Sequence, residues 1–412
     1  MSGPTATRIH QATIFDAALL PLLVGVIAIP PGMFYFGLTS SMAFGTMIVC
    51  SIAILTSFML LKISQKRFLR VMLFVFFLII CIALHLLISS MRGTVDLERG
   101  LASLLPLGIC SVGGWAVAAL LVHARDNALN RALKQCFLLL VVFAMLGVVG
   151  LQPPTTAAYS KPVFPFTEPS HLTLVFTPFL IFSCVSSVPW KRILYLIVAV
   201  LGAAFLENLT LVAACVLTTL VCLRLRHILL MIIFLAPIIL SSDLSYYTER
   251  LVFDSTSQNL SALVYLQGWQ MLNESWESTN GMGLGFQQLG VLGTNASAAD
   301  QINRLLDNSL NLLDGGFNLA KILSEFGIFG AIFIVAYLYY LWRALKVLRS
   351  AVGASQQHST VLLFASSCIV SYLIELLLRG AGYFTSTSVL LVSALFIWNT
   401  MRRSTLKFYL NK

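Results

Sequence analysis

The chain predicts an all-α fold: a polytopic membrane helix bundle of about twelve transmembrane helices, with a large outer loop that contains amphipathic helices of its own. Apolar residues make up 58% of the 412 positions, charged residues only 10%, and the mean hydropathy is +0.90. A soluble domain carries roughly a quarter charged residues. The apolar residues are gathered in blocks near the length of about 20 residues that lets a helix cross a bilayer with its backbone hydrogen bonds satisfied internally. One long polar run, 242–316, breaks the series; it holds eight of the sixteen carboxylates but two of the twenty-six basic residues.

Taken in order, blocks at 13–38, 41–62, 70–90, 101–123, 134–151, 169–188, 191–207, 208–223 and 227–241 form a first unit, 1–241. The polar run 242–316 is the second. Blocks at 317–343, 358–378 and 382–400 and a basic tail form the third, 317–412. The short pair 191–207 and 208–223 requires a tight turn at Glu207 and Asn208. With the N-terminus inside, nineteen of the twenty-six basic residues fall in inner segments, which orients both termini inward. The outer side keeps Arg92, Arg99, Lys161, Arg250, Arg304, Lys321 and Arg379. The net charge of +10 therefore describes a surface facing acidic lipids, and nucleic acid is not an expected partner.

The first apolar block runs through Pro30-Pro31 without a small-residue cleavage site and reads as a retained span. All eight cysteines lie in apolar blocks without CxxC spacing, as small core residues rather than disulfides or ligands. No P-loop, HExxH or His/Cys cluster is present, so neither a metal nor a cofactor is expected. Inner segments offer only Asp16 and Asp126 as carboxylates, too few for a metal-held nucleotide sugar. An enzyme built on this chain would work on the outer side, on a substrate that carries its own activation, such as a lipid-linked diphosphate.

Within the polar run, Ala262, Tyr265, Trp269, Leu272 and Trp276 recur at helical spacing and define one face of an amphipathic helix over 258–277. That face either lies at the headgroup level or packs on the bundle. Gly281-Met282-Gly283-Leu284-Gly285 has no Rossmann context and reads as a flexible connector. Over 299–313, Ile302, Leu306, Leu310 and Leu313 share one side. Arg304, Asp307, Asn311 and Asp314 share the other, as a cleft lining or a solvated face. Arg250, just beyond the span ending near 241, offers a fork-shaped donor to a diphosphate or a salt bridge to Glu249 or Asp254.

The shorter outer segment ends in Pro165-Phe166-Thr167-Glu168-Pro169-Ser170-His171. Thr167 or Glu168 would cap the next helix, with Pro169 in its first turn. Glu168 and His171 then project close together, suited either to general-base work on a hydroxyl or to capping beside a structural histidine. Two further pairs at i,i+4 spacing, Lys321 with Glu325 and Glu375 with Arg379, sit at the ends of apolar blocks. Charges there face a polar cavity or neutralise each other. The GAGYF after Arg379 offers backbone for close approach.

Three stretches resemble the O-antigen polymerase family, integral-membrane glycosyltransferases related to O-antigen ligases: PFTEPSH at 165–171, SALVYLQGW and GMGLGF within 261–286, and DGGFNLAKILSEFGIFG at 314–330. The resemblance implies a bacterial inner-membrane enzyme that joins oligosaccharide repeat units carried on undecaprenyl diphosphate, at the periplasmic face. It further implies outer-side arginines on the diphosphate, fitting Arg250 and Arg379, then Arg304. Lys321, Tyr265 and Trp269 join the candidate substrate-binding set, with Glu168, His171 and Arg250 as candidate catalytic residues. Related ligases carry a histidine near the start of the span after the large loop, where this chain has Gly315-Gly316-Phe317-Asn318. That difference argues against transfer to lipid A core. A chain-length regulator is implied as a partner by the same resemblance. The alternatives are a flippase or transporter for the lipid-linked oligosaccharide, from another class, and, within the enzyme class, an O-antigen ligase.

Overall fold

The computed structural model describes residues 4–61, 64–93, 95–154, 161–223, 254–255, 257–352 and 358–410, with side chains described between Phe15 and Met401. Every regular element among them is a helix. They are α1 (Pro4–Tyr35), α2 (Ala43–Leu60), α3 (Gln65–Ser90), α4 (Leu97–Ala102), α5 (Leu104–His123), α6 (Asp126–Val149), α7 (Pro169–Val185), α8 (Pro189–Phe205), α9 (Leu209–Cys222), α10 (Leu260–Thr279), α11 (Ser297–Leu306), α12 (Asn318–Val352), α13 (Thr360–Leu377) and α14 (Ser386–Leu410). Among the described residues, seven stretches are long and apolar enough to cross a membrane: α1, α2, α3, α4 with α5, α6, α12 and α13; α7, α9 and the apolar part of α14 are shorter. The expected span at 227–241 and Arg250 lie outside the described residues.

Large apolar side chains divide between a core and an outward face. Phe179, Phe182, Phe364, Leu19 and Leu23 are buried, while α3 turns Leu73, Phe74, Phe76 and Phe77 outward. Such an exposed apolar surface is stable against lipid and not against water. Cys81, on α3, is exposed; the other cysteines are buried as expected. The predicted turn between α8 and α9 is present. Glu207 has φ 47°, and the Asn208 carboxamide caps α9 by accepting from Thr210 N at 3.1 Å and Leu211 N at 3.4 Å.

Alternate connections gather at each end of the bundle. At one end Tyr35 OH donates to Pro153 O at 2.8 Å, Thr46 Oγ1 to Phe384 O at 3.0 Å, and Gly380 N to Gly316 O at 2.8 Å. At the opposite end Arg125 pairs with Asp16, Thr360 N donates to Asp126 Oδ1 at 3.1 Å, and Arg349 Nη1 to Leu220 O at 2.8 Å. Arg192, buried there, is satisfied by the carbonyls of Cys184, Ser187 and Cys222.

The glycine-rich segment is not a connector. Helix α12 breaks at Gly327 (φ 53°, ψ −127°), which frees carbonyls of the preceding turn. Leu284 N donates to Ser324 O and Gly285 N to Glu325 O, both at 2.9 Å, while Ile328 N donates to Gly281 O at 2.9 Å. Residues 281–285 thus replace the missing helical hydrogen bonds. Gly283 has φ 88°, and a Cβ there would lie 2.5 Å from Glu325 O. Gly283→Ala is therefore expected to destabilise the protein by about 2–3 kcal/mol, read as a lowered unfolding midpoint in detergent.

The predicted helix over 299–313 is also shorter than expected. It ends at Leu306 because Asp307 (φ 51°) enters the left-handed region, as does Asn311 (φ 52°). Arg304, Asp307, Asn311 and Asp314 therefore do not form one helical stripe. On α10, the buried side runs through Leu263, Gln267 and Met271. Of the predicted face, Ala262 and Leu272 are buried, Tyr265 is partly buried, and Trp269 and Trp276 are exposed.

Candidate functional site

Glu168, His171 and Arg379 meet at the end of the bundle that holds residues 163–168 and 378–385. Val163 and Phe166 exchange backbone hydrogen bonds at 2.9 and 2.7 Å, folding the chain back just before α7. Glu168 follows in an extended conformation at the N-cap of α7, with Pro169 in the first turn as predicted. Its side chain does not cap the helix. Glu168 Oε1 instead accepts from Arg379 Nη2 at 2.6 Å, Arg379 Nε at 3.2 Å and Ser170 Oγ at 2.6 Å, with His171 Nε2 3.1 Å away.

These contacts fix the imidazole. With Nε2 facing the carboxylate as donor, Nδ1 is the acceptor, and it lies 3.1 Å from Thr167 Oγ1. Burial by itself would raise the Glu168 pKa, but Arg379, His171 and the Ser170 hydroxyl outweigh it and hold the carboxyl far below the ordinary carboxylate range. A carboxylate this acidic is a weak base and a good orienter. A depressed carboxyl pKa stabilises the fold fully above the ordinary value of 4.5, and the contribution is lost as acid carries the pH down toward the depressed value. The stability advantage of wild type over Glu168→Gln is therefore expected to be constant near neutrality and to shrink below pH 4.5 in thermal melts.

Arg379 lies just past the end of α13, whose C-cap is Leu378. That position turns it away from Glu375, so the predicted i,i+4 pair does not form. Glu375 is buried instead and accepts from Asn318 Nδ2 at 3.2 Å, Thr385 Oγ1 at 3.3 Å and Thr387 Oγ1. Asn318 Nδ2 also reaches Tyr372 OH at 2.9 Å. The GAGYF segment approaches closely as expected, against residues 314–318: a Cβ on Gly380 would fall 2.8 Å from Asn318 N.

Lys321 and Glu325 do pair, at 3.4 Å, on the short part of α12 before its break. Lys321 is 1% exposed; its ammonium also meets Leu313 O and lies 3.5 Å from Asp314 Oδ1. Glu325, 0% exposed, accepts from Gln287 N at 3.0 Å and Leu289 N at 3.4 Å. The pair holds residues 281–289 and 313–314 to α12, which leaves Lys321 buried among its partners rather than facing a substrate.

Tyr265 and Trp269 stack around Phe317, with ring centroids 4.8 and 5.2 Å away, and Trp269 stays 38% exposed. Phe317 precedes Asn318, so this aromatic group adjoins the segment that Gly380 touches. Arg304 is exposed on the last turn of α11, with no ion pair among the described residues. The described residues contain no group of three or more His, Cys, Asp and Glu side chains able to hold a metal. The Ser170 hydroxyl carries no signal in the sequence, whereas Glu375 carries that of a carboxylate at a helix end, with Arg379 as the expected partner in place of Asn318, Thr385 and Thr387. Comparisons of the chain with family models, curated proteins and solved structures return no match.

Proposed function

We propose that this protein is a membrane glycosyltransferase of the O-antigen polymerase type, transferring a glycan from one undecaprenyl diphosphate carrier to the repeat unit on another. The observation that carries the reading is the meeting of Arg379, Glu168 and His171 at one end of an apolar bundle, from segments 211 residues apart in the chain. In this reading twelve spans cross the inner membrane, both termini are cytoplasmic, and 242–316 is periplasmic. The basic residues gathered at the opposite end support that orientation.

An acceptor sugar hydroxyl attacks the anomeric carbon of the donor. The bond to the diphosphate oxygen breaks, and the lipid diphosphate leaves with the electron pair. Arg379, and Arg250 and Arg304 if they reach the same point, stabilise the charge that develops on it. His171 accepts the proton at Nδ1 in place of the Thr167 hydroxyl, and Glu168 holds the imidazole tautomer and steadies the imidazolium formed. Glu168 thereby moves from candidate base to positioning residue. Tyr265 and Trp269 offer aromatic faces to sugar rings, and Lys321 serves the scaffold. Cells carrying His171→Ala are expected to display single-repeat glycans only; full-length ladders would remove His171 from the mechanism.

A second reading, a transporter for the same lipid-linked sugar, is favoured by one feature: α12 breaks at Gly327 beside buried charged residues, as helices do around transported solutes.

A further inference from the structure

At the end of the bundle opposite the Arg379 site, a cleft of about 400 Å³ opens between α2, α3, α5 and α14. Leu61, Trp115 and Phe396 form apolar walls, and Ser64, Arg67 and His123 form a polar side. Beside Arg67, the Phe68 ring centroid lies 5.0 Å from that of Phe58 and 5.9 Å from that of Trp115. The charges on the α3 side of the cleft have one sign. Lys66, Arg67 and Arg70 are exposed on the first turns of α3, and none has an ion pair among the described residues. The stretches that carry the lining residues, 60–61, 64–67, 115–123 and 396–400, contain no aspartate or glutamate.

An apolar trough capped by an unpaired guanidinium matches a molecule with a hydrocarbon body and an anionic head. We propose that this cleft is a binding site for an anionic phospholipid of the surrounding leaflet, with its phosphate on Arg67 and Ser64 and an acyl chain along Trp115 and Phe396. The site is independent of the transferase reading and needs only that the apolar helices lie in a bilayer. A cationic trough without a carboxylate attracts a phosphate and repels the ammonium of a zwitterionic headgroup, so the preference is for net charge rather than for lipid in general.

The full-length protein in detergent, supplied with equal amounts of phosphatidylglycerol and phosphatidylcholine, tests this by native mass spectrometry of the lipids it retains. Wild type is expected to favour phosphatidylglycerol. Arg67→Gln is expected to lower that preference about fivefold, the effect of one cation at a membrane surface. Ala119→Phe, which fills the cleft and leaves every charge in place, is expected to lower it as well. Lys191→Gln removes the same charge from α8, away from the cleft, and is expected to change nothing. Arg67→Gln alters an exposed side chain, so its result stands even if Ala119→Phe fails to fold. Equal retention of the two lipids by wild type, or equal losses in Arg67→Gln and Lys191→Gln, would overturn the proposal.

Discussion

Arg379→Ala is expected to lower glycan transfer by at least about a hundredfold, the usual cost of removing one donor aimed at developing negative charge. The guanidinium stands where the site meets solvent, 20% exposed, with two of its nitrogens on a single Glu168 oxygen. Arg379→Lys keeps the charge but not the planar fork, so it is expected to recover only part of the rate. Single-turnover transfer with purified protein checks both variants. A rate that falls equally in Glu168→Gln and Arg379→Ala, with lipid diphosphate affinity unchanged in each, would assign Arg379 to positioning alone.

The largest effect on stability is expected from Glu325→Ala. The carboxylate is fully buried and serves three partners at once: Lys321 Nζ and the backbone nitrogens of Gln287 and Leu289. Removing it leaves the buried ammonium with Asp314 as its one carboxylate and takes the acceptor from two buried N–H groups, a loss of about 3–5 kcal/mol. Glu325→Gln keeps an acceptor and is expected to cost less, and Lys321→Met added to it should recover stability by removing a buried charge left with Asp314 as its one carboxylate. Unfolding midpoints in detergent check the order. A double variant weaker than Glu325→Gln alone would mean that Lys321 is held chiefly by Asp314 and Leu313 O.

The elements and the members of the site were more legible in sequence than their meeting. Pro169 at a helix start, Asn208 at a tight turn, and Lys321 with Glu325 at i,i+4 are local patterns, and local patterns survive folding. Glu375 and Arg379 share the same spacing, yet the helix ends at Leu377 and the arginine swings to a carboxylate 211 residues away. Nothing near Arg379 in sequence announces that partner. The glycines of 281–285 are ambiguous in sequence for a related reason: a tightly docked segment and a loose connector both require glycine, and only Gly327 across the fold decides between them. For 299–313, the break at Asp307 had a local signal that periodicity hid, since Asp and Asn tolerate the left-handed region better than other residues.

The transferase and transporter readings differ in whether a new glycosidic bond appears. Purified wild-type protein in liposomes, given repeat units on undecaprenyl diphosphate and no nucleotide sugar, is expected to yield lipid-linked glycans of two or more repeats, releasing one undecaprenyl diphosphate per bond formed. Repeat units that cross the bilayer and stay single would contradict the glycosyltransferase and leave a transporter in its place.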